Sequence, residues 1–155
     1  AHQIAEKEDA LGWFGRIKTQ KGRVDLKVGG LFPIVAGARV LALRLGCAER
    51  SSRERWRAAA AAGILLEEDL VRLLDAHEMI LGLILDQQLA DLAKGLPAIS
   101  KVEVRRLRAL EQDRLKEALQ VVRQIDIIVK NALGEAILRQ RAGSLPAGRA
   151  ATPEP

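Results

Sequence analysis

The residues best suited to binding chemistry lie in the segment Val24-Asp25-Leu26-Lys27-Val28-Gly29-Gly30, which leads into a predicted helix carrying Arg39. Adjacent glycines near a helix N-terminus would leave backbone N–H groups accessible, and such groups bind anions. Lys27 and Arg39 would add positive charge, and Asp25 belongs to the same segment. The residues alone equally allow a packing role, in which Gly29 and Gly30 form a bend that lets the chain enter the helix closely packed.

The other reactive residue types do not form a recognisable catalytic or metal-binding set. His77 lies on an apolar helical stripe, which predicts a hydrogen-bonded core histidine. His2 and Cys47 have no suitable partner nearby in the sequence, and Asp86 and Asp91 are five residues apart, so they do not share a helix face. The sequence also has no phosphate-binding Gly-rich loop and no nucleophile motif. We therefore expect neither a catalytic residue nor a metal site on this chain.

The composition indicates one helical domain that must hold these residues in place. The chain has 155 residues, of which 48% are hydrophobic but only 3% aromatic, with no Tyr. Its core must therefore be built from Leu, Ile, Val and Ala, which argues against a β-sandwich or barrel. A single Cys excludes an internal disulfide. Four aromatic side chains are too few to stack nucleic acid bases in a row.

Helical spacing of apolar residues predicts an all-α, up-and-down bundle of four to five helices. We expect helices at residues 6–14, 31–45, 51–62, 67–94 and 109–133, and a brief extended stretch at 24–28. Ser51 and Glu54 have the spacing of a capping box. The predicted organisation is a leading segment over 1–30, the bundle over 31–134 and a disordered tail over 135–155.

Basic and acidic segments alternate along the chain, whose formal net charge is +5. One explanation is that helices of opposite charge pack side by side through weak surface pairs. The other is a basic face within residues 16–57 that meets a phosphate-bearing ligand or partner. A third interpretation, a nucleic-acid-binding bundle, rests on the isoelectric point alone and is the least favoured.

Four segments together carry a family resemblance: DLKVGGLFPIVAGARVLALRLG, SSRERWRAAAAAGIL, EDLVRLLDAHEMILGLILDQQL and LEQDRLKEALQVVRQI. The chain resembles the C-terminal substrate-binding domain of a bacterial nucleotidyltransferase family associated with cyclic-nucleotide-binding and CBS domains. The segment around Asp25 is also similar to PII uridylyltransferase and glutamine synthetase adenylyltransferase.

The resemblance implies a helical companion to a catalytic domain that uses Mg²⁺ and a nucleoside triphosphate. The catalytic carboxylates would belong to a preceding domain, so no cofactor is expected on this chain and its own status as an enzyme stays open. Substrate would be bound by Asp25, Lys27, Gly29, Gly30 and Arg39, facing the cleft. The alternative is a helical protein-interaction or signal-relay module without its own ligand.

The expected partners are the chain's own nucleotidyltransferase domain, a protein acceptor of the nucleotidyl group, and a second copy of the chain. No membrane partner is expected, because the sequence has no uninterrupted apolar run of about 18 residues. The chain begins Ala-His-Gln, without an initiator Met or a signal peptide. We therefore expect a piece of a cytoplasmic protein.

Overall fold

A computed structural model describes residues 10–12 and 15–143 of the chain. In these residues it contains four α-helices, α1 (Phe32–Leu45), α2 (Ser52–Ala61), α3 (Glu67–Leu92) and α4 (Ala109–Gly143). Two short strands, β1 (Arg23–Asp25) and β2 (Lys101–Glu103), pair antiparallel. The prediction of an all-α helical bundle is confirmed, with this small sheet as its one addition among the described residues.

The core lies where α1, α3 and α4 meet, with α2 packed against α1 and α3. Among the described residues it is aliphatic apart from one aromatic side chain, in keeping with the composition. Its most deeply buried members are Leu11, Leu26, Ile34, Leu41, Trp56, Leu73, Ile80, Val102, Leu115 and Leu119. Val24 and Val102 stand directly opposite each other on the two strands and are both buried. The sheet therefore covers one end of the helical core.

α1 approaches its neighbours closely because its one glycine, Gly37, faces them. A Cβ on Gly37 would lie 3.0 Å from the Trp56 ring of α2 and 3.1 Å from Ile125 of α4. Trp56 is almost fully buried, and its indole Nε1 has no hydrogen-bond partner among the described residues. The close approach of three helices therefore depends on the missing side chain of Gly37.

The helix containing α1 begins earlier than the sequence predicted. A π-helical turn, Lys27–Leu31, runs directly into α1, so that Gly29 and Gly30 lie inside a continuous helix and do not form a bend. The combined helix, Lys27–Leu45, is long and apolar enough to cross a membrane by length and composition alone. Core helices of soluble proteins meet the same criterion, and here one face of the helix packs in the bundle core.

Other predicted boundaries were partly right. α3 ends at Leu92 near its predicted end, but α4 continues through Gly143, so the predicted end at residue 133 was wrong. The predicted connection over 96–107 contains β2 and a 3₁₀ turn, Val104–Arg106. Most of the predicted helix over 6–14, and residues 144–155 of the predicted tail, lie outside the described residues.

Only one of the two hydrogen bonds of the predicted capping box of α2 is present. The Ser51 hydroxyl oxygen accepts a hydrogen bond from the Glu54 backbone N–H at 3.1 Å. The Glu54 carboxylate instead pairs with Arg57 on the next turn. Ser51 thus satisfies one of the free N–H groups at the helix start, while Glu54 joins the surface charges.

Candidate functional site

Asp25 caps the start of the helix that carries the predicted binding residues. Its Oδ1 accepts hydrogen bonds from the backbone N–H groups of Lys27, at 3.2 Å, and Val28, at 3.1 Å. The Ser100 hydroxyl lies 3.5 Å from the same oxygen. A carboxylate at this position satisfies donors that would otherwise be free at a helix N-terminus. These two N–H groups are therefore engaged within the chain.

Gly29 and Gly30 are both buried. A Cβ on Gly30 would lie 3.1 Å from Cδ1 and 3.3 Å from Cγ2 of Ile80 on α3. Such distances are tighter than ordinary van der Waals contact, so Gly30 allows the start of the helix to rest against α3. Of the two roles that the sequence left open for this glycine, the structure supports close packing.

Lys27 and Arg39 are both exposed but are not brought together. They are twelve residues apart on one helix, which corresponds to roughly 18 Å along its axis. Lys27 stands at the sheet end of the helix, whereas Arg39 lies towards the other end. The predicted set therefore divides into a cluster around Asp25 and Lys27 and a separate Arg39.

The two-stranded sheet is fixed to α3 by a buried polar network. Asp91, only 2% exposed, accepts from the Arg23 guanidinium at 3.3 Å and from the Gln87 side-chain amide at 2.8 Å. The Gln87 carbonyl oxygen accepts from the Glu103 backbone N–H at 3.0 Å. The hydrogen bond from Arg23, assisted by that from Gln87, lowers the pKa of Asp91. Asp91 is therefore a charged anchor of the sheet.

Exposed basic residues gather around this sheet. Lys21 is at the tip of a two-residue turn in which Lys21 and Gly22 both have positive φ, 52° and 77°. The Val104 N–H donates to the Gly22 carbonyl at 3.1 Å, which brings Arg105 and Arg106 beside this turn. Arg105 and Arg106 form no ion pair within the described residues.

These cations form a basic edge, which consists of Lys21, Lys27, Lys101, Arg105 and Arg106. Residues 15–31 and 93–112, which the sheet brings together, contain ten Lys and Arg against three Asp and Glu, a net charge of +7. The whole chain carries +5, so the rest of it is slightly acidic. These two segments thus bring a net positive charge to the sheet end of the bundle.

Sequence reasoning found only half of this surface. It placed a basic face within residues 16–57, and it missed the contribution of 93–112 because strand pairing joins segments nearly eighty residues apart. One local signal was present: Lys101-Val102-Glu103-Val104 alternates charged and apolar residues, which is the pattern of a half-buried strand. Together with the similar alternation at Val24, it could have suggested the pairing.

His77 lies on α3 and is half-buried, but the predicted hydrogen bond is not found. Its Nδ1 is buried without a hydrogen-bond partner among the described residues. Burial and the nearby Arg53 guanidinium lower the pKa of His77, against a smaller opposing effect of Glu78. Arg53 itself pairs with Glu78 at 3.0 Å. Burial and Arg53 therefore favour the neutral form of His77 at the junction of α2 and α3.

No group of three or more His, Cys, Asp or Glu side chains within residues 10–12 and 15–143 is arranged to hold a metal ion. The carboxylates of the described residues therefore do not fit a Mg²⁺ site. Cys47 is a half-buried free cysteine.

A cavity of about 340 Å³ lies between α3 and α4. Its charged lining consists of Arg72 and Asp75 from α3 and Arg114 and Glu117 from α4. The two positive charges are balanced by two negative ones, so this cavity does not concentrate charge as the basic edge does.

The fold and this surface define an all-α domain with an anion-attracting edge. The chain belongs to the family described as the putative nucleotidyltransferase substrate binding domain, which matches residues 1–133. The match includes the sheet, the basic edge and most of the bundle. No curated protein and no solved structure matches the chain significantly.

Proposed function

We propose that this domain binds the substrate of a nucleotidyltransferase whose catalytic groups lie on another domain. The basic edge would contact the anionic part of that substrate, either the phosphates of a nucleoside triphosphate or an acidic region of the acceptor. The observation that carries this proposal is the net charge of +7 in the two segments joined by the sheet. Mg²⁺ would be held by the catalytic domain, since the described residues here do not fit it.

The basic edge suits an extended anionic partner. Its cations are on a turn tip, a helix start, strand β2 and a 3₁₀ turn, which are held together by the sheet and its anchor on α3. Lys21, Lys27, Arg105 and Arg106 are exposed, so they can reach a ligand without a change of fold. A surface with one dominant sign of charge attracts the opposite charge over about 10 Å at 0.1 M salt.

Within this proposal the residues around Asp25 have a positioning role. Asp25 fixes the start of the helix by capping Lys27 and Val28, and this places the Lys27 side chain at the edge. Gly30 allows the same turn to sit against Ile80. Arg39, by contrast, lies too far along the helix to belong to the basic edge.

The test uses the complete nucleotidyltransferase that contains this domain. We expect Lys27→Ala to raise the KM for the anionic substrate about 5- to 10-fold, which corresponds to one charge-assisted contact of about 1 kcal/mol or slightly more. Arg105→Ala should act in the same direction. Both effects should shrink as salt is added, because exposed charges are screened. Comparing the KM for nucleotide with that for acceptor identifies which of them the edge contacts.

Lys130→Ala is the matched control, because Lys130 is exposed on α4 and lies outside the basic edge. It should leave both KM values unchanged. Equal losses in Lys130→Ala and Lys27→Ala would show a general charge effect and contradict the proposal. A loss confined to Arg39→Ala would move the binding surface from the sheet to α1 and contradict it as well.

A second function, a protein-interaction or signal-relay module, is favoured by a different observation. α1 has apolar side chains, Phe32 and Leu43 among them, that are mostly exposed in the described bundle. Titration of the full-length enzyme and the isolated domain with ATP, UTP and acceptor proteins separates the two functions. A relay module would bind a protein but neither nucleotide.

A further inference from the structure

The outer face of the helix Lys27–Leu45 is an exposed apolar stripe with a single charge. Val28, Phe32 and Leu43 are 47%, 65% and 83% exposed. Val35 is partly exposed and Arg39 is exposed. Both lie on the same face of the helix as these three residues, because positions 28, 32, 35, 39 and 43 have helical spacing. These five residues are called the α1 stripe.

The α1 stripe has no counter-charge of its own. The helix contains no Asp or Glu over its whole length. Arg39 forms no ion pair within the described residues, and Phe32 projects from the first turn of α1. A partner must therefore cover apolar surface and also accommodate one guanidinium without a carboxylate from this helix.

We propose that the α1 stripe binds the α1 stripe of a second copy of this chain, with the two helices antiparallel and the two-fold axis between Val35 and Ala36. The sequence of the stripe is self-complementary about that point. Val28 of one copy then meets Leu43 of the other, and Phe32 meets Arg39. Two-fold symmetry makes every such contact occur twice.

The chemistry of each facing pair is favourable. An Arg guanidinium over an aromatic face forms a cation–π contact, which removes the need for a carboxylate partner. Val28 and Leu43 bury apolar surface against each other. At the centre, Val35 and the small Ala36 allow two helices to approach closely at a shallow crossing angle. The parallel alternative would place Arg39 against Arg39 and is disfavoured by like charge.

To span a bilayer with this stripe facing the lipid, the helix would have to leave the bundle. Its opposite face is buried through Ile34, Gly37, Ala38 and Leu41, which pack in the core. Covering the stripe with a second copy keeps the core intact.

The contact is short, and this sets the expected affinity. The stripe runs over fifteen residue steps, or roughly 22 Å of helix. Contacts made by one helix from each partner are at the small end of specific interfaces, so we expect a Kd of roughly 1–100 μM. The dimer should form at micromolar concentrations of the 155-residue chain and dissociate on dilution.

Cysteine cross-linking tests the proposed pairing directly. In a Cys47→Ser background, Val28→Cys combined with Leu43→Cys should give a covalent dimer under mild oxidation. Within one copy these positions are roughly 22 Å apart, far beyond the Cα separation of about 4.4–6.8 Å that a disulfide requires, so they cannot pair internally. Val28→Cys combined with Leu89→Cys is the control, because Leu89 is exposed on α3 and should give no specific dimer.

Sedimentation equilibrium supplies the second measurement. We expect Arg39→Ala and Phe32→Ala each to weaken dimerisation about 5- to 30-fold, since each removes two symmetric cation–π contacts. Leu89→Ala should not change it. Arg39→Lys should retain a large part of the affinity.

Three results would overturn the proposal. The first is a chain that stays monomeric at 200 μM and gives no more cross-linked dimer than the Leu89 control. The second is efficient cross-linking of Val28→Cys alone, which would indicate a parallel pair. The third is co-sedimentation with phosphatidylcholine vesicles that Leu43→Ala abolishes, which would identify a lipid surface as the partner of the stripe.

Discussion

Replacing Gly37 with alanine should destabilise this protein, although the same change improves most helices. In a helix interior, alanine is more favourable than glycine by about 0.8–1.0 kcal/mol. At Gly37, however, the added Cβ would lie 3.0 Å from two atoms of the Trp56 ring and 3.1 Å from Cγ2 of Ile125. Neither neighbour can move freely, because Trp56 is 1% and Ile125 is 3% exposed.

The change in the free energy of unfolding depends on two opposing contributions, the helix preference for alanine and the close contacts of the added Cβ. Forcing an extra carbon into a packed core costs about 1–3 kcal/mol, which offsets or exceeds the helix gain. Gly134→Ala is the matched control: it is also inside a helix, and a Cβ there would meet nothing within 4 Å. Gly37→Ala should therefore be less stable than Gly134→Ala by about 1–3 kcal/mol, or by about 2–12 °C in Tm for a chain of this size.

Urea unfolding followed by circular dichroism measures this difference. The double variant Gly37→Ala with Trp56→Phe adds a direct test, because the phenyl ring lacks the outer indole atoms that the Cβ would touch. The two changes should couple favourably by about 1 kcal/mol in a double-mutant cycle. If Gly37→Ala stabilises the protein as much as Gly134→Ala does, α1 does not approach α2 and α4 as closely as described, and the reasoning fails.

Two further predictions concern the ends and junctions of α2. Ser51→Ala should lower the free energy of unfolding by about 0.5–2 kcal/mol because the Glu54 N–H loses its acceptor, whereas Ser52→Ala should not; thermal unfolding compares them, and equal effects would exclude the cap. The lowered pKa of His77 means that the unfolded chain binds this proton more readily, so the contribution of His77 to stability is present above its ordinary pKa and is lost as pH falls through the acidic range below it. Urea unfolding between pH 8 and 5 should show this slope, and His77→Gln should reduce it; an unchanged slope would contradict the assignment.

The bundle could be predicted from sequence because its signals are local. Helical spacing of apolar residues located α3 closely, and Ser51 marked the start of α2. The end of α4 was missed because residues after Leu133 still permit a helix and no strong terminator precedes Gly143. Non-local features were less accessible: the pairing of Val24 with Val102 depends on the whole bundle between them.

The glycines of the continuous helix Lys27–Leu45 show why a local binding motif was ambiguous. Gly30 and Gly37 are seven residues apart, two helical turns, and both face neighbouring helices: Ile80 for the first, Trp56 and Ile125 for the second. Their spacing therefore reflects packing of one helix face against the bundle. A face used in this way cannot also bind a ligand, so the surfaces of this helix that remain for partners are its capped start beside the sheet and its outer stripe.

Each of those surfaces has a different chemistry on the same helix. At the start, Lys27 joins cations from a distant segment, and the cluster attracts anions. Along the α1 stripe, apolar residues surround the single Arg39, and the partner we propose is the same stripe of a second copy of the chain. Asp25 caps the helix start, which carries Lys27, so a change at Asp25 should mainly disturb the basic edge. Gly37 packs the helix against α2 and α4, so a change at Gly37 should mainly disturb the α1 stripe. Under the two proposals, substrate affinity and dimer affinity should therefore be separable by mutation on one helix.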